Sequence, residues 1–360
     1  MRLLPLLLVL LGLGTLAPGA DTPPISPVTP TTSGTLPRSL PNMLPNQFPV
    51  FPPLFALVAG NLDEQAALMP WDATQEKDSG TTLKVDVKLV NLFVTVTDDR
   101  GAPIANLKKE NFQVSEDGHE QKIAVFDRES AVPLSIVLAV DTSLSTRKDL
   151  PLELASARRF VHAILRPVDA LSVYEFSEIV DEAVPFTSDL KRIDRGIDRI
   201  HLGAATALYD AVFLGSRALE SRQGRKVMVV ITDGGDTVSK MDYKDALRGA
   251  EEAEAIVYSI IIVPIEVSAG RDTGGEHALI QLSTDTGGKY FYASSLPQLD
   301  DAFRQISDEL RTQYLLAYYP AQRYSESDFR KVQVTVSGAN ASAPFRVRHR
   351  AGYYTSKSPW

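Results

Sequence analysis

The stretch LSIVLAVDTSLSTRKDL, residues 134–150, runs from an apolar strand directly into a series of oxygen-bearing side chains. Six of its first seven residues are apolar, which predicts a strand that is covered on both faces. The strand ends at Asp141, Ser143 and Ser145, three polar side chains at every second position. Their oxygens suit a hard cation better than a hydrophobic core or the interior of a helix. The stretch therefore predicts the middle of a sheet and a binding site at its end.

Further continuous apolar runs follow this one and alternate with helical patterns. The runs are LSVYEF at 171–176, VMVVI at 227–231 and IVYSIIIV at 256–263. The first intervening helix carries apolar residues at helical spacing, namely Leu154, Ala157, Val161 and Ile164. Buried strands that alternate with amphipathic helices predict a doubly wound α/β fold, a mostly parallel sheet flanked by helices. We place this domain at residues 133–311.

Two β-rich segments flank the α/β pattern. Before it, from 83 to 129, residues alternate with period two around Asp117-Gly118, which is a hairpin signal. After it, from 312 to 355, the same alternation returns in QYLLAYYP, FRKVQVTVS and FRVRHR. We expect the flanks to form a β-rich companion domain with the α/β domain inserted, and independent flanks are the alternative.

The N-terminal residues 1–20, MRLLPLLLVLLGLGTLAPGA, carry an arginine, an apolar run and then small residues. This is the pattern of a secretory signal peptide, and a retained N-terminal anchor is the alternative. Residues 21–80 begin with a proline-rich stretch, so we expect a largely disordered linker there. We expect no membrane span beyond the signal peptide. The predicted location is the periplasm, the cell surface or the exterior.

Charge and composition narrow the class of partner. The chain has 360 residues, a formal net charge of -8 at pH 7 and no cysteine. The charge argues against nucleic acid as a partner, because a protein that binds phosphates needs a basic face. The lack of cysteine excludes disulfides and thiolate metal sites, so an exported protein of this kind depends on a large core.

Two further polar residues are predicted at the same end of the sheet as Asp141. In a doubly wound sheet, ligands bind beyond the carboxyl ends of the strands. Asp233 follows the VMVVIT strand, and Thr206 lies in the loop before a helix. Together with Asp141, Ser143 and Ser145, these residues offer two carboxylates and three hydroxyls. Oxygen ligands without sulfur or imidazole favour Mg²⁺ or Mn²⁺ over Zn²⁺.

The set Asp141-x-Ser143-x-Ser145, Thr206 and Asp233 on an α/β sheet resembles the metal-ion-dependent adhesion site of von Willebrand factor type A (VWA) domains. Together with VTDDRGAPIANLKKENFQVSEDGHEQKI upstream, the chain resembles the secreted VWFA-related proteins of acidobacteria. The resemblance implies that the three hydroxyls ligate the metal directly and that the two aspartates act mostly through water. It also implies that the open coordination position takes an acidic side chain from a protein ligand.

The sequence thus predicts an exported VWA-domain protein that is not an enzyme. It would bind a divalent cation and, through it, an acidic group of a protein partner, in adhesion or in the assembly of envelope complexes. One alternative is a structural envelope protein with a vestigial metal site, in which Asp141 and Asp233 only cap loops. The other is a metal-assisted hydrolase, although the carboxylates are needed as ligands and no general base is evident beside them. The loops 237–245 and 267–277 are candidates for partner selection at the rim.

Overall fold

The computed structural model describes residues 89–128, 132–263, 273–321, 329–337 and 345–355. Several sequence predictions fall outside these residues. They are the signal peptide at 1–20, the proline-rich linker at 21–80, the start of the N-terminal β segment and most of the predicted rim loop 267–277. Of the helices in the described part of the chain, none combines the length and the apolar character that crossing a bilayer takes.

The N-terminal part of the described chain is β-structure. Its strands are β1 (Val90–Thr97), β2 (Phe112–Glu116), β3 (His119–Gln121) and β4 (Ile123–Arg128). β2 and β3 form an antiparallel hairpin around the predicted turn. Asp117 and Gly118 have φ values of 49° and 82° in this turn. Positive φ at both central residues is what a two-residue type I′ turn requires, and an Asp-Gly pair adopts it readily.

The α/β layer begins with Pro133. Its strands are β5 (Leu134–Asp141), β6 (Ala170–Phe176), β7 (Val180–Thr187), β8 (Arg225–Thr232), β9 (Ala255–Ile262) and β10 (Tyr290–Ala293). Its helices are α1 (Leu150–Ile164), α2 (Leu190–Ile197), α3 (Leu208–Glu220), α4 (Tyr243–Glu252), α5 (Thr273–Asp285) and α6 (Leu296–Thr312). Every residue of β5 and of β9 is buried, because helices cover both faces of the sheet.

The strand order of this sheet is β10-β9-β8-β5-β6-β7. All neighbouring strands are parallel except β6 and β7, which are antiparallel. One hydrophobic core lies under α1, α2 and α6, and a second lies under α3, α4 and α5. The predicted doubly wound, mostly parallel sheet is therefore confirmed. The chain leaves β5 towards β6 on one side and later fills the other side with β8, so the carboxyl end of β5 is the switch point where ligands bind in such folds.

After α6 the chain returns to β-structure. The last strands are β11 (Tyr314–Tyr318), β12 (Phe329–Val336), β13 (Arg346–Arg348) and β14 (Gly352–Tyr354). They pair with the N-terminal strands in two four-stranded sheets, of order β13-β1-β11-β4 and β14-β12-β2-β3. The two sheets share one core, which includes Leu92, Tyr314 and Val334. The described strands thus adopt the arrangement in which the flanks pair and the α/β layer is inserted between them.

Candidate functional site

Asp141, the last residue of β5, is the centre of the candidate site. Its side chain is fully buried (0% exposed). Oδ2 accepts a hydrogen bond from Thr232 Oγ1 at 2.6 Å, and Oδ1 accepts one from the backbone N–H of Ser143 at 2.8 Å. Burial raises the pKa of Asp141 to about 6, because it outweighs these hydrogen bonds, and the nearby charge of Asp233 acts in the same direction. The carboxylate is therefore positioned firmly but surrounded by groups that do not neutralise it.

The two serines come together in the turn that follows β5. Ser143 has an extended backbone, and a short 3-10 helix at Leu144–Thr146 then curls the chain back. The hydroxyl of Thr146 donates to the carbonyl of Ser143 at 3.0 Å and closes this turn. As a result, Ser143 Oγ and Ser145 Oγ lie 2.9 Å apart. Ser143 is buried and Ser145 is exposed, so the pair leads from the interior to the surface.

The loop that carries Thr206 is held beside this turn by hydrogen bonds on two sides. On one side, the N–H of Gly203 in the same loop donates to the carbonyl of Thr142 at 2.8 Å. On the other side, the N–H of Thr206 donates to Thr237 Oγ1 at 2.9 Å, and the N–H of Thr237 donates back to the Thr206 carbonyl at 2.8 Å. The loop before α3 is thus attached both to the turn after β5 and to the loop after β8.

Asp233 directly follows β8 and is half-buried. It lies close enough to Asp141 for its charge to raise the pKa of that residue. The next residue, Gly234, has a φ of 111°, a backbone conformation that residues other than glycine rarely adopt. α5 packs so closely against this turn that a Cβ atom on Gly275 would overlap the carbonyl of Gly234. Two glycines therefore fix the direction of the segment that carries Asp233.

Glu153 also lies beside the site, although it was not among the predicted residues. It is on α1 and is buried, and neither carboxylate oxygen has a hydrogen-bond partner among the described residues. Burial raises the pKa of Glu153 to about 8, and the charges of Asp141, Asp149 and Asp233 act in the same direction. Glu153 therefore adds a third carboxyl group to the acidic environment of the site.

A signal for Glu153 was present in the sequence. The buried face of α1 includes Leu150, Glu153, Ala157 and Phe160, which are spaced by three or four residues. The predicted stripe contained Leu154, which is only partly buried, and did not include Glu153. An acidic residue in register with an apolar stripe next to a ligand loop is the signal that would have identified it.

A cleft of about 680 Å³ opens beside the site, between the start of α1 and the start of α6. Ser145 and Glu153 line its wall on the α1 side, and Leu296 and Leu299 line it on the α6 side. The described residues contain no group of three or more His, Asp or Glu side chains that is gathered closely enough to hold a metal by itself. A cation at this edge would therefore need the hydroxyls of the two serines and Thr206.

The donor set fits a hard divalent cation. Carboxylate and hydroxyl oxygens are ligands that Mg²⁺ and Mn²⁺ accept, and the described site contains neither sulfur nor imidazole among the five predicted positions. A cation would also offset the burial of Asp141, whose neighbours leave its charge uncompensated. The metal itself, and the direct or water-mediated role of each residue, stay predictions.

Comparison with protein families identifies the type of the inserted domain. Residues 136–235 match the family model of the von Willebrand factor type A domain. All five predicted site positions fall within this span. The chain therefore carries a VWA-type domain, while the narrower resemblance to the secreted acidobacterial proteins stays a prediction.

Several solved structures are similar to this chain. One is BatB from Bacteroides thetaiotaomicron, with 21% identity and a TM-score of 0.41 over 50% of this chain and 100% of that chain. A second is a von Willebrand factor type A protein from Catenulispora acidiphila, with 10% identity and a TM-score of 0.45 over 77% of this chain and 76% of that one. A third is the vWF domain of the type V pili tip protein Mfa5 from Porphyromonas gingivalis, with 13% identity and a TM-score of 0.39 over 49% and 95% of the two chains. No curated protein matches the chain significantly.

Proposed function

We propose that this chain is an exported, non-enzymatic binding protein whose VWA-type domain holds a divalent cation, Mg²⁺ or Mn²⁺, and uses it to bind an acidic group of a protein partner. The residues that would hold the cation are Asp141, Ser143, Ser145, Thr206 and Asp233. One observation carries the proposal. The buried carboxylate of Asp141 lies at the switch point of the sheet, next to two converging hydroxyls and a second carboxylate, without a neutralising charge.

The neutral hydroxyls and the charged carboxylates would have different roles at the site. The hydroxyls of Ser143, Ser145 and Thr206 are neutral donors, so they leave the charge of a cation largely uncompensated. Asp141 and Asp233 supply the negative charge that makes binding favourable. A bound cation would supply a Lewis-acidic position for an external carboxylate. Ser145 is exposed and Asp233 is half-buried, so these two members of the set reach the surface.

Apolar residues on the surrounding loops support a role in protein binding. Leu144 is 55% exposed, Leu202 is 42% exposed and Val238 is 46% exposed, and each lies on a different loop at the carboxyl edge of the sheet. Large apolar side chains around a charged centre are typical of binding surfaces, where they exclude water from the central contact. We expect the partner to present a carboxylate surrounded by apolar residues.

One observation favours the hydrolase alternative. A general base needs a pKa near the working pH, and burial raises the pKa of Glu153 to about 8. The binding proposal and the hydrolase therefore differ in whether Glu153 takes a proton from a substrate or water during turnover. Assays for turnover decide between them.

Calorimetric titration of the purified chain with Mg²⁺ and Mn²⁺ tests the proposed function. We expect one cation per chain in the wild type, loss of binding in Asp141→Ala, and unchanged binding in Asp308→Ala, a control on the exposed face of α6. We expect no turnover of phosphoester or peptide substrates. Absence of cation binding in the wild type would favour a vestigial site, and turnover that Asp141→Ala abolishes would favour the hydrolase. A pull-down from envelope extract, with and without chelator, would then identify the partner.

A further inference from the structure

Glu153 is a buried carboxylate that is not one of the five proposed cation ligands. It is 2% exposed, and both of its oxygens lack a hydrogen-bond partner among the described residues. A carboxyl group in this state is costly, because burial removes its hydration and nothing replaces it. A buried carboxylate without a hydrogen-bond partner on the core face of a helix therefore calls for an explanation. Either a ligand or ion binds it, or it has a functional role.

Other buried carboxylates of the chain have such partners. Glu309 forms an ion pair with Arg348 at 2.6 Å, and Glu116 accepts hydrogen bonds from the hydroxyls of Tyr318 and Tyr353 at 2.7 and 2.8 Å. Packing constraints alone therefore do not prevent the fold from satisfying a buried glutamate. Glu153 differs from these residues in its position, next to the proposed cation site.

Among the described residues, the charges that act on Glu153 are all negative. They come from Asp141 and Asp233 at the carboxyl edge of the sheet and from Asp149 at the start of α1. Arg147 and Lys148 line the same cleft, but both are exposed and neither is among the charges that act on Glu153. The group that would compensate Glu153 is therefore a cation in the region that Asp141 and Asp233 also surround.

We propose that Glu153 is an outer carboxylate of the cation site, which binds water ligands of the metal and adds a third negative charge to hold it. The inference rests on the proposed function, since it assumes a cation near Asp141. A direct metal–Glu153 bond is not part of it, because the described acidic side chains are not gathered into a cluster. Glu153 and Ser145 line the same cleft. A water molecule between Glu153 and the cation would span the distance that a direct bond does not.

The role predicts opposite effects of one substitution on two quantities. Glu153→Gln keeps the shape of the side chain and removes its charge. Without the cation, an amide is less costly to bury than a carboxylate among three acidic neighbours, so the variant melts at a higher temperature than the wild type at pH 8 in chelator. With the cation, the variant lacks the third charge, and its affinity falls. Outer residues of metal sites typically change affinity by about 10- to 100-fold.

Calorimetric titration with Mn²⁺, together with thermal melts in chelator, tests this on four chains: the wild type, Glu153→Gln, Glu153→Asp and the control Glu251→Gln. Glu251 is also buried, and its pKa is also raised, to about 7, but its acidic and basic neighbours are Asp285, Arg350, Arg248 and Glu252, away from the site. We expect a Kd about 10- to 100-fold weaker for Glu153→Gln, a partial recovery in Glu153→Asp, and the wild-type Kd in Glu251→Gln.

The possible outcomes separate the inference from the proposed function. A wild-type Kd in Glu153→Gln, while Asp141→Ala loses binding, would overturn the role of Glu153 and leave the cation site standing. Equal weakening in Glu153→Gln and Glu251→Gln would also overturn it, since the loss would then reflect a general effect on the fold. Absence of binding in the wild type would overturn both proposals.

Discussion

The two ends of β5 each have a buried aspartate, and the surroundings of these two residues differ. At the amino end, Asp169 accepts hydrogen bonds from the backbone N–H of Leu134 at 2.8 Å and from the guanidinium of Arg166 at 2.9 Å. Burial acts to raise the pKa of Asp169, but these hydrogen bonds outweigh it and hold the pKa below its ordinary value. At the carboxyl end, burial dominates and raises the pKa of Asp141 to about 6.

The same contrast appears in two buried glutamates on neighbouring helices. Glu309 on α6 pairs with Arg348 at 2.6 Å, whereas the charged groups of the described residues that act on Glu153 of α1 are all acidic. The buried carboxylates of Asp169 and Glu309 are thus paired with arginines, whereas no such pair is seen for Asp141 or Glu153 among the described residues. The difference supports the proposal that a cation compensates the carboxylates at the carboxyl end.

The largest expected effect is a dependence of stability on pH that comes from the unpaired end. The pKa of Glu153 rises from 4.5 to about 8 on folding, so the folded state holds the proton more tightly than the unfolded state. The stability that protonated Glu153 contributes is fully present below pH 4.5 and is lost as the pH rises towards 8. We expect Glu153→Gln to gain up to about 4 kcal/mol over the wild type between pH 5 and pH 8 in chelator, at ~1.4 kcal/mol per pH unit. Urea unfolding at both pH values measures this, and parallel curves for the two chains would contradict it.

The next effect comes from breaking the paired end. Arg348→Ala leaves Glu309 buried, and among the described residues Lys289 at 3.7 Å is the basic side chain that then remains near it. We expect a loss of about 3 kcal/mol in the free energy of unfolding, at the lower end for a broken buried pair. Arg304→Ala is the matched control, because its ion pair with Asp308 lies on the surface and surface pairs contribute less than about 1 kcal/mol. Similar losses in the two variants would remove the distinction between buried and exposed pairs here.

A matched pair of substitutions compares the two aspartates directly. Asp169→Asn keeps an acceptor for Leu134 but loses the charge that pairs with Arg166, so we expect a loss of about 2 kcal/mol, given that Arg166 is partly exposed. Asp141→Asn removes a charge that has no counter-charge, so in chelator we expect a change below about 1 kcal/mol. Urea unfolding at pH 7 measures both, and a larger loss for Asp141→Asn would reverse the comparison.

A further effect concerns the backbone of the unpaired end. Gly275→Ala forces α5 away from the turn that carries Asp233, because the new Cβ atom overlaps the Gly234 carbonyl. We expect a loss of at least about 2 kcal/mol in stability, because the overlap is with a backbone atom that cannot move aside alone, and weaker Mn²⁺ binding in calorimetry. A chain with reduced stability and unchanged Mn²⁺ affinity would show that the position of Asp233 does not matter for the cation.

Much of the fold could be predicted from local patterns. The continuous apolar runs that became β5, β8 and β9 identify a sheet covered on both faces, and Asp117-Gly118 identifies a hairpin because the turn demands positive φ. The pairing of β1 with β11 could not be chosen from the sequence alone. The two strands are separated by the whole α/β insertion, and no local signal distinguishes a paired flank from an independent one.

The candidate site was only partly accessible to sequence reasoning. Asp141 and Asp233 follow recognisable strands, so their common edge could be predicted. Thr232 and Thr237, which position Asp141 and Thr206, are ordinary threonines in sequence, and only the spatial arrangement gives them a role. Glu153 was missed because a charged residue on an amphipathic helix is usually solvated, and its inward position depends on where α1 packs.

The pairing of β4 with β11 has a mechanical consequence when the chain is pulled at its two ends. Arg128, where the chain leaves β4 towards the inserted domain, lies opposite Tyr314, where it returns in β11. The two connections of the VWA-type domain are therefore side by side and are joined by a strand pair. Tension along the polypeptide would pass through this strand pair, and the inserted domain would be shielded from stretching until the pair separates.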